Sequence, residues 1–69
     1  TLLQEYVQRD GDKHIVYHLL SESGPDHAKT FHMEVEINGV IYEAGSGKSK
    51  KIAEQHAAQL TLEKLMADK

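Results

Sequence analysis

Along residues 31–37 apolar and polar side chains alternate without a break: Phe31, Met33, Val35 and Ile37 against His32, Glu34 and Glu36. Successive side chains of a strand point to opposite faces, so this period of two predicts a half-buried strand. Asn38-Gly39 follows, the favoured pair for a tight type I′ hairpin, and Val40 to Ala44 is expected to pair back antiparallel. Gly45-Ser46-Gly47 then reads as the break that ends this strand. Upstream, residues 15–21, rich in β-branched, aromatic and leucine side chains, predict another strand, closed by the turn signal Ser23-Gly24-Pro25-Asp26. At the start of the chain the period changes. Leu3 and Val7 recur four apart with Tyr6 beside them, behind Thr1-Leu2-Leu3-Gln4, which has the form of a capping box. This predicts a short amphipathic helix ended by Asp10-Gly11-Asp12. A longer helix is expected from a cap at or near Ser49 to about Met66. At 100° per residue, its Ala53, Ala57, Ala58, Thr61, Leu62 and Leu65 share one half of the wheel. The small side chains let that helix lie close to a sheet while the leucines fill the wider gap. The expected fold is α+β, in the order α-β-β-β-α, with both helices packed on one face of a three-stranded antiparallel sheet.

Composition narrows what such a fold can do. With 69 residues the chain reads as one domain, 1–69, with room for a small core but not for a deep enzyme cleft and its scaffold. There is no apolar run of membrane-spanning length and no secretory signal pattern, so no membrane partner is expected. The absence of cysteine excludes disulfides and thiolate metal sites and fits a reducing, cytoplasmic setting. A net charge of −3 argues, on average, against nucleic acid. The distribution says otherwise. Residues 45–51, Gly-Ser-Gly-Lys-Ser-Lys-Lys, hold three lysines and no acid, while Glu34 and Glu36 fall on the open sheet face and Glu54 and Glu63 along the last helix.

Lys48, Lys50 and Lys51 stand at the predicted N-terminus of a helix, the unfavourable end for a cation. Free N–H groups and the positive end of the dipole already favour an anion there, and three ammonium groups add to the pull. Phosphate is the ligand this chemistry suits; a lysine run kept for solubility is the alternative. Gly47-Lys48-Ser49 also ends like a nucleotide-binding P-loop, but Tyr42 occupies the place of the first glycine and there is no βαβ unit. Gly45-x-Gly47 fails as a dinucleotide fingerprint because Lys50 stands where its third glycine belongs. His14 and His18 lack a third ligand, so no metal site is expected, and His32 and His56 read as surface side chains. No nucleophile is paired with a base, so no catalytic residue is assigned.

The turn after the first strand is more specific than turn geometry requires: Gly, Pro and Asp explain themselves, but His27 followed by Lys29 does not. Gly24-Pro25-Asp26-His27-Ala28-Lys29-Thr30-Phe31, with Gly45-x-Gly47-x-Ser49-Lys50-Lys51-x-Ala53-Glu54-Gln55-x-Ala57-Ala58 and Leu3-Gln4-Glu5-Tyr6 in the first helix, resembles the double-stranded-RNA-binding domain. The likeness covers essentially the whole chain, and the wording is most similar to the C-terminal domain of bacterial ribonuclease III.

The resemblance implies three contact regions on duplex RNA. Gln4, Glu5 and Gln8 would enter one minor groove. Pro25, Asp26 and His27 would enter the next, with His27 leading. Lys48, Ser49, Lys50 and Lys51 would grip phosphates across the major groove between them. A-form RNA displays 2′-hydroxyls in a wide, shallow minor groove, and a Glu5 carboxylate buried there has a reason, since it accepts from a 2′-hydroxyl that DNA lacks. Without the resemblance, Gln4 reads as a capping residue and Glu5 as part of a solvated helix face.

The chain departs from the family where Lys13-His14-Ile15-Val16-Tyr17 lacks a proline before the tyrosine, and Val40–Ala44 is bulkier than usual, which leaves its inward residues open. The acidic nuclease signature of ribonuclease III is absent. Thr1 opens almost inside a helix, so the chain reads as an excised RNA-docking part. The resemblance gives the parent a homodimeric nuclease domain that cleaves double-stranded RNA with Mg²⁺ in rRNA or mRNA processing; no cofactor is expected in this chain. The competing reading is a protein-interaction or dimerisation module of the same fold without RNA binding, which would be expected to lose the lysines and the turn histidine.

Overall fold

The computed structural model describes residues 2–9 and 14–67. Helix α1 spans Leu2–Gln8, strands β1, β2 and β3 span Ile15–Ser23, Thr30–Ile37 and Val40–Gly47, and helix α2 spans Lys50–Ala67. The three strands form one antiparallel sheet in the order β1-β2-β3. The α-β-β-β-α order expected from the hydrophobic pattern is the observed one. Thr1 of the capping box and the Asp10-Gly11-Asp12 stop lie outside the described residues.

Seven residues are too few for a free-standing helix, so α1 depends on packing. Leu3 and Val7 supply it, joining Val35, Ile37, Ala57, Ala58 and Leu62 in the core. The alternation along β2 holds. Met33, Val35 and Ile37 are buried, while His32, Glu34 and Glu36 face the other side, where His18 Nε2 lies 2.8 Å from Glu36 Oε1. Asn38 and Gly39 both take positive φ, 50° and 83°, as a type I′ turn requires. Asn38 is doubly used: its N–H donates to the His14 carbonyl at 3.1 Å, and its Oδ1 accepts the His14 N–H at 3.0 Å.

Two strand ends differ from expectation. β1 continues to Ser23, paired with Thr30, beyond a bulge between Leu19 and Ser21. β3 is not broken at Gly45-Ser46-Gly47 but runs through it, with Gly45 opposite Met33 and Gly47 opposite Phe31. The glycines serve proximity, not termination. A Cβ on Gly45 would stand 2.8 Å from Ala57 Cα, and one on Gly47 2.9 Å from the Ala53 nitrogen. Strand β3 also carries one residue more than β2 between the pairs Glu36–Ile41 and Glu34–Ala44, and this bulge is where Tyr42 packs against the core.

Helix α2 covers β2 and β3, while α1 packs against α2 and the shared core. Ala53, Ala57, Ala58, Thr61 and Leu62 are buried, with Leu65 partly buried beside them, so the inner face is the one the helical wheel selects. Thr61 is the buried polar side chain in this stripe, and its Oγ1 accepts the Glu43 N–H at 3.3 Å. Among the described residues, no helix is long and apolar enough to cross a membrane.

Candidate nucleic-acid interface

The β1–β2 connection is a built turn. Gly24 takes φ 89°, and a Cβ there would meet the Ala28 carbonyl oxygen at 2.6 Å. The Ala28 N–H donates to the Pro25 carbonyl at 2.9 Å and closes the loop. Lys29 Nζ lies 3.2 Å from Glu22 Oε1 and 4.0 Å from Asp26 Oδ1. The pair with Glu22 gives Lys29 a role that turn geometry alone did not: it ties the turn back to β1. Pro25, Asp26 and His27 are left exposed at the end of a projecting hairpin.

At the start of α2, Ser49 is the cap. Its Oγ accepts the Ile52 N–H at 3.1 Å, and its carbonyl accepts the Ala53 N–H at 3.0 Å. The hydroxyl hydrogen remains available to an incoming acceptor. Lys48, Lys50 and Lys51 are exposed around this cap and, among the described residues, make no hydrogen bond or ion pair. Their contrast with the paired Lys29 is electrostatic. Unneutralised ammonium groups at the positive end of an 18-residue helix make this the anion-attracting end of the molecule.

Two depressions connect the lysines to the other candidate residues. One, of about 430 Å³, lies between α1, the start of β1 and α2; Gln4, Gln8, Tyr17, Lys51, Glu54 and Gln55 line it. The other, of about 400 Å³, brings Lys48 together with Asp26, His27, Lys29, Thr30 and Phe31. The lysine cluster therefore borders the α1 glutamines on one side and the His27 turn on the other. Glu5 is exposed on α1 in the free molecule and lines neither depression. Burial, assisted by the charge of Glu54, pushes the Tyr17 phenol above its ordinary value of 10.0.

Among the described residues, three histidine side chains make hydrogen bonds. His18 pairs with Glu36 and His32 Nε2 lies 3.2 Å from Ser23 Oγ, both on the open sheet face. His56 is exposed, as its reading as a surface side chain implies, and its Nδ1 also accepts the Ser46 N–H at 3.0 Å and fastens α2 to β3. Sequence spacing gives no sign of that bond. Among the described residues, no group of three or more His, Asp or Glu is placed to hold a metal ion.

The fold is thus an antiparallel sheet backed by two helices, with lysines unpaired among the described residues set between α1 and the β1–β2 turn, and the chain matches a known family over nearly its whole length. The family described as "Double-stranded RNA binding motif" matches residues 1–65, and the chain belongs to it. Among individual proteins, the chain is 55% identical over 65 residues to Ribonuclease 3 of Streptococcus mutans serotype c, covering 94% of this chain and 28% of that protein. It is 50% identical over 64 residues to Ribonuclease 3 of Streptococcus gordonii, covering 93% of this chain and 28% of that protein. The chain thus spans little more than a quarter of the length of these relatives.

Proposed function

We propose that the chain docks double-stranded RNA by shape, as the RNA-binding part of a ribonuclease III. In this reading Gln4, Glu5 and Gln8 on α1 contact one minor groove, and Pro25, Asp26 and His27 contact the next. Lys48, Ser49, Lys50 and Lys51 hold phosphates across the intervening major groove. Such modules span about 16 base pairs and touch two successive minor grooves. The observation that carries the proposal is the lysine cluster, which is unpaired among the described residues and borders both α1 and the His27 turn.

The longer protein would then be an endoribonuclease that cleaves duplex RNA with Mg²⁺ in a homodimeric nuclease domain, acting in rRNA or mRNA processing in the cytoplasm. The relatives' name, Ribonuclease 3, supports this extension, and no residue of the present chain is assigned to the cleavage step.

Titration with RNA and DNA duplexes of one sequence, ~20 base pairs long so as to exceed the footprint, tests the docking reading. RNA should bind well above DNA at equal salt. Equal affinity for the two would reduce the site to a general polyanion surface.

A further inference from the structure

Glu54 is out of place on a surface meant only to attract phosphates. It stands on α2 one turn after Lys51, half-buried, and it is the acidic member of the depression shared with Gln4 and Gln8. It makes no hydrogen bond or ion pair among the described residues. A half-buried carboxylate with no partner among the described residues would be repulsive next to a bound polyanion. Its charge reaches far enough into the depression to help raise the Tyr17 phenol. A local rule broken inside a candidate site suggests a ligand group that compensates for it.

A carboxylate offers acceptors only, so that group must be a donor. In the minor groove a nucleic-acid duplex offers two kinds of donor: the guanine amino group, present in both RNA and DNA, and the 2′-hydroxyl, which RNA alone carries. The ribose hydroxyls line the edge of that groove, beside the phosphates that Lys51 would hold. We propose that Glu54 is a specificity-determining residue of this surface, accepting a hydrogen bond from a ribose 2′-hydroxyl of the strand held between α1 and Lys51. The inference rests on the RNA-docking reading above. It turns a charge that weakens general polyanion binding into a filter for RNA.

The test compares wild type with Glu54→Gln on three duplexes of one sequence: RNA, its 2′-fluoro counterpart, which keeps the A-form but loses the hydroxyl donor, and DNA. Wild type should prefer RNA to the 2′-fluoro duplex. Glu54→Gln keeps an acceptor oxygen but exchanges a charge-assisted bond for a neutral one, so it should lose roughly fivefold on RNA and lose little or gain on the other two. The substitution is nearly neutral for helix formation, and a thermal melt checks the fold. Glu54→Asp, which keeps the charge but withdraws it by one methylene, should show the same loss and serves if the glutamine variant does not fold. Parallel shifts on RNA and 2′-fluoro RNA, or no 2′-fluoro discrimination by wild type, would overturn the role of Glu54. Failure of wild type to prefer RNA over DNA would instead overturn the docking reading itself.

Discussion

Lys29 and Lys50 carry the same charge, and their partners separate them. Lys29 faces Glu22 at 3.2 Å, and exposed pairs of this kind contribute about 0.2–1 kcal/mol. Lys50 has no partner among the described residues. Releasing counterions from RNA makes log K fall linearly with log salt, by about 0.7–0.9 for each phosphate neutralised. Lys50→Ala should therefore weaken RNA binding and flatten that slope by about one unit, read from titrations at several salt concentrations. An unchanged slope would remove Lys50 from the phosphate contacts. His27 and Glu5 belong to a different term, since phosphates do not distinguish RNA from DNA. Glu5→Ala and His27→Ala should each reduce RNA affinity about fivefold while leaving DNA binding nearly unchanged. Both side chains are exposed, so neither melt should move. Tyr17 predicts a pH effect. Its neutral form is favoured in the folded state, so its contribution to stability is complete below pH 10.0 and is lost as pH rises through the higher folded value. Following phenolate absorbance against pH, Tyr17→Phe should remove a transition above 10.0 and flatten the alkaline loss of stability.

Elements show where local pattern was a sufficient guide. The alternation in β2, the Asn38-Gly39 hairpin, the Ser49 cap and the small-residue stripe of α2 are properties of neighbouring residues, and each appears where the sequence places it. Gly45 and Gly47 misled because a glycine states that a side chain is absent, not why. Here the reason lies in α2, six to twelve residues further along the chain. Gly45→Ala should force strand and helix apart, at an overpacking cost of about 1–3 kcal/mol. Gly39→Ala meets no atom within 4 Å and should cost only the positive-φ penalty of about 1–2 kcal/mol. Paired thermal melts give the comparison. A Gly45 variant as stable as wild type would mean that α2 does not depend on this close approach.

At the scale of the whole molecule, an acidic chain binds a polyanion only if its charges are sorted. Glu34 and Glu36 lie on the open sheet face beside His18, whereas Lys48, Lys50 and Lys51 gather at one end of α2. The sorting follows from strand alternation and helix start, so the candidate residues could be named from sequence. Their arrangement could not be read in the same way. That Lys51 shares a depression with Gln4 and Gln8, and Lys48 one with His27, depends on how α1, the hairpin and α2 pack. For the same reason the His56–Ser46 bond and the position of Glu54 emerge only in three dimensions. The central claim is that these three separated segments form one RNA-docking surface and that the open face takes no part. Backbone amide shifts on adding a short RNA duplex test this most directly. Changes should be concentrated in Gln4–Gln8, His27–Lys29 and Lys48–Gln55, saturating together, with Val16, Glu34 and Ile41 quiet. Changes centred on Val16, Glu34 and Ile41, or three segments saturating at different RNA concentrations, would contradict it.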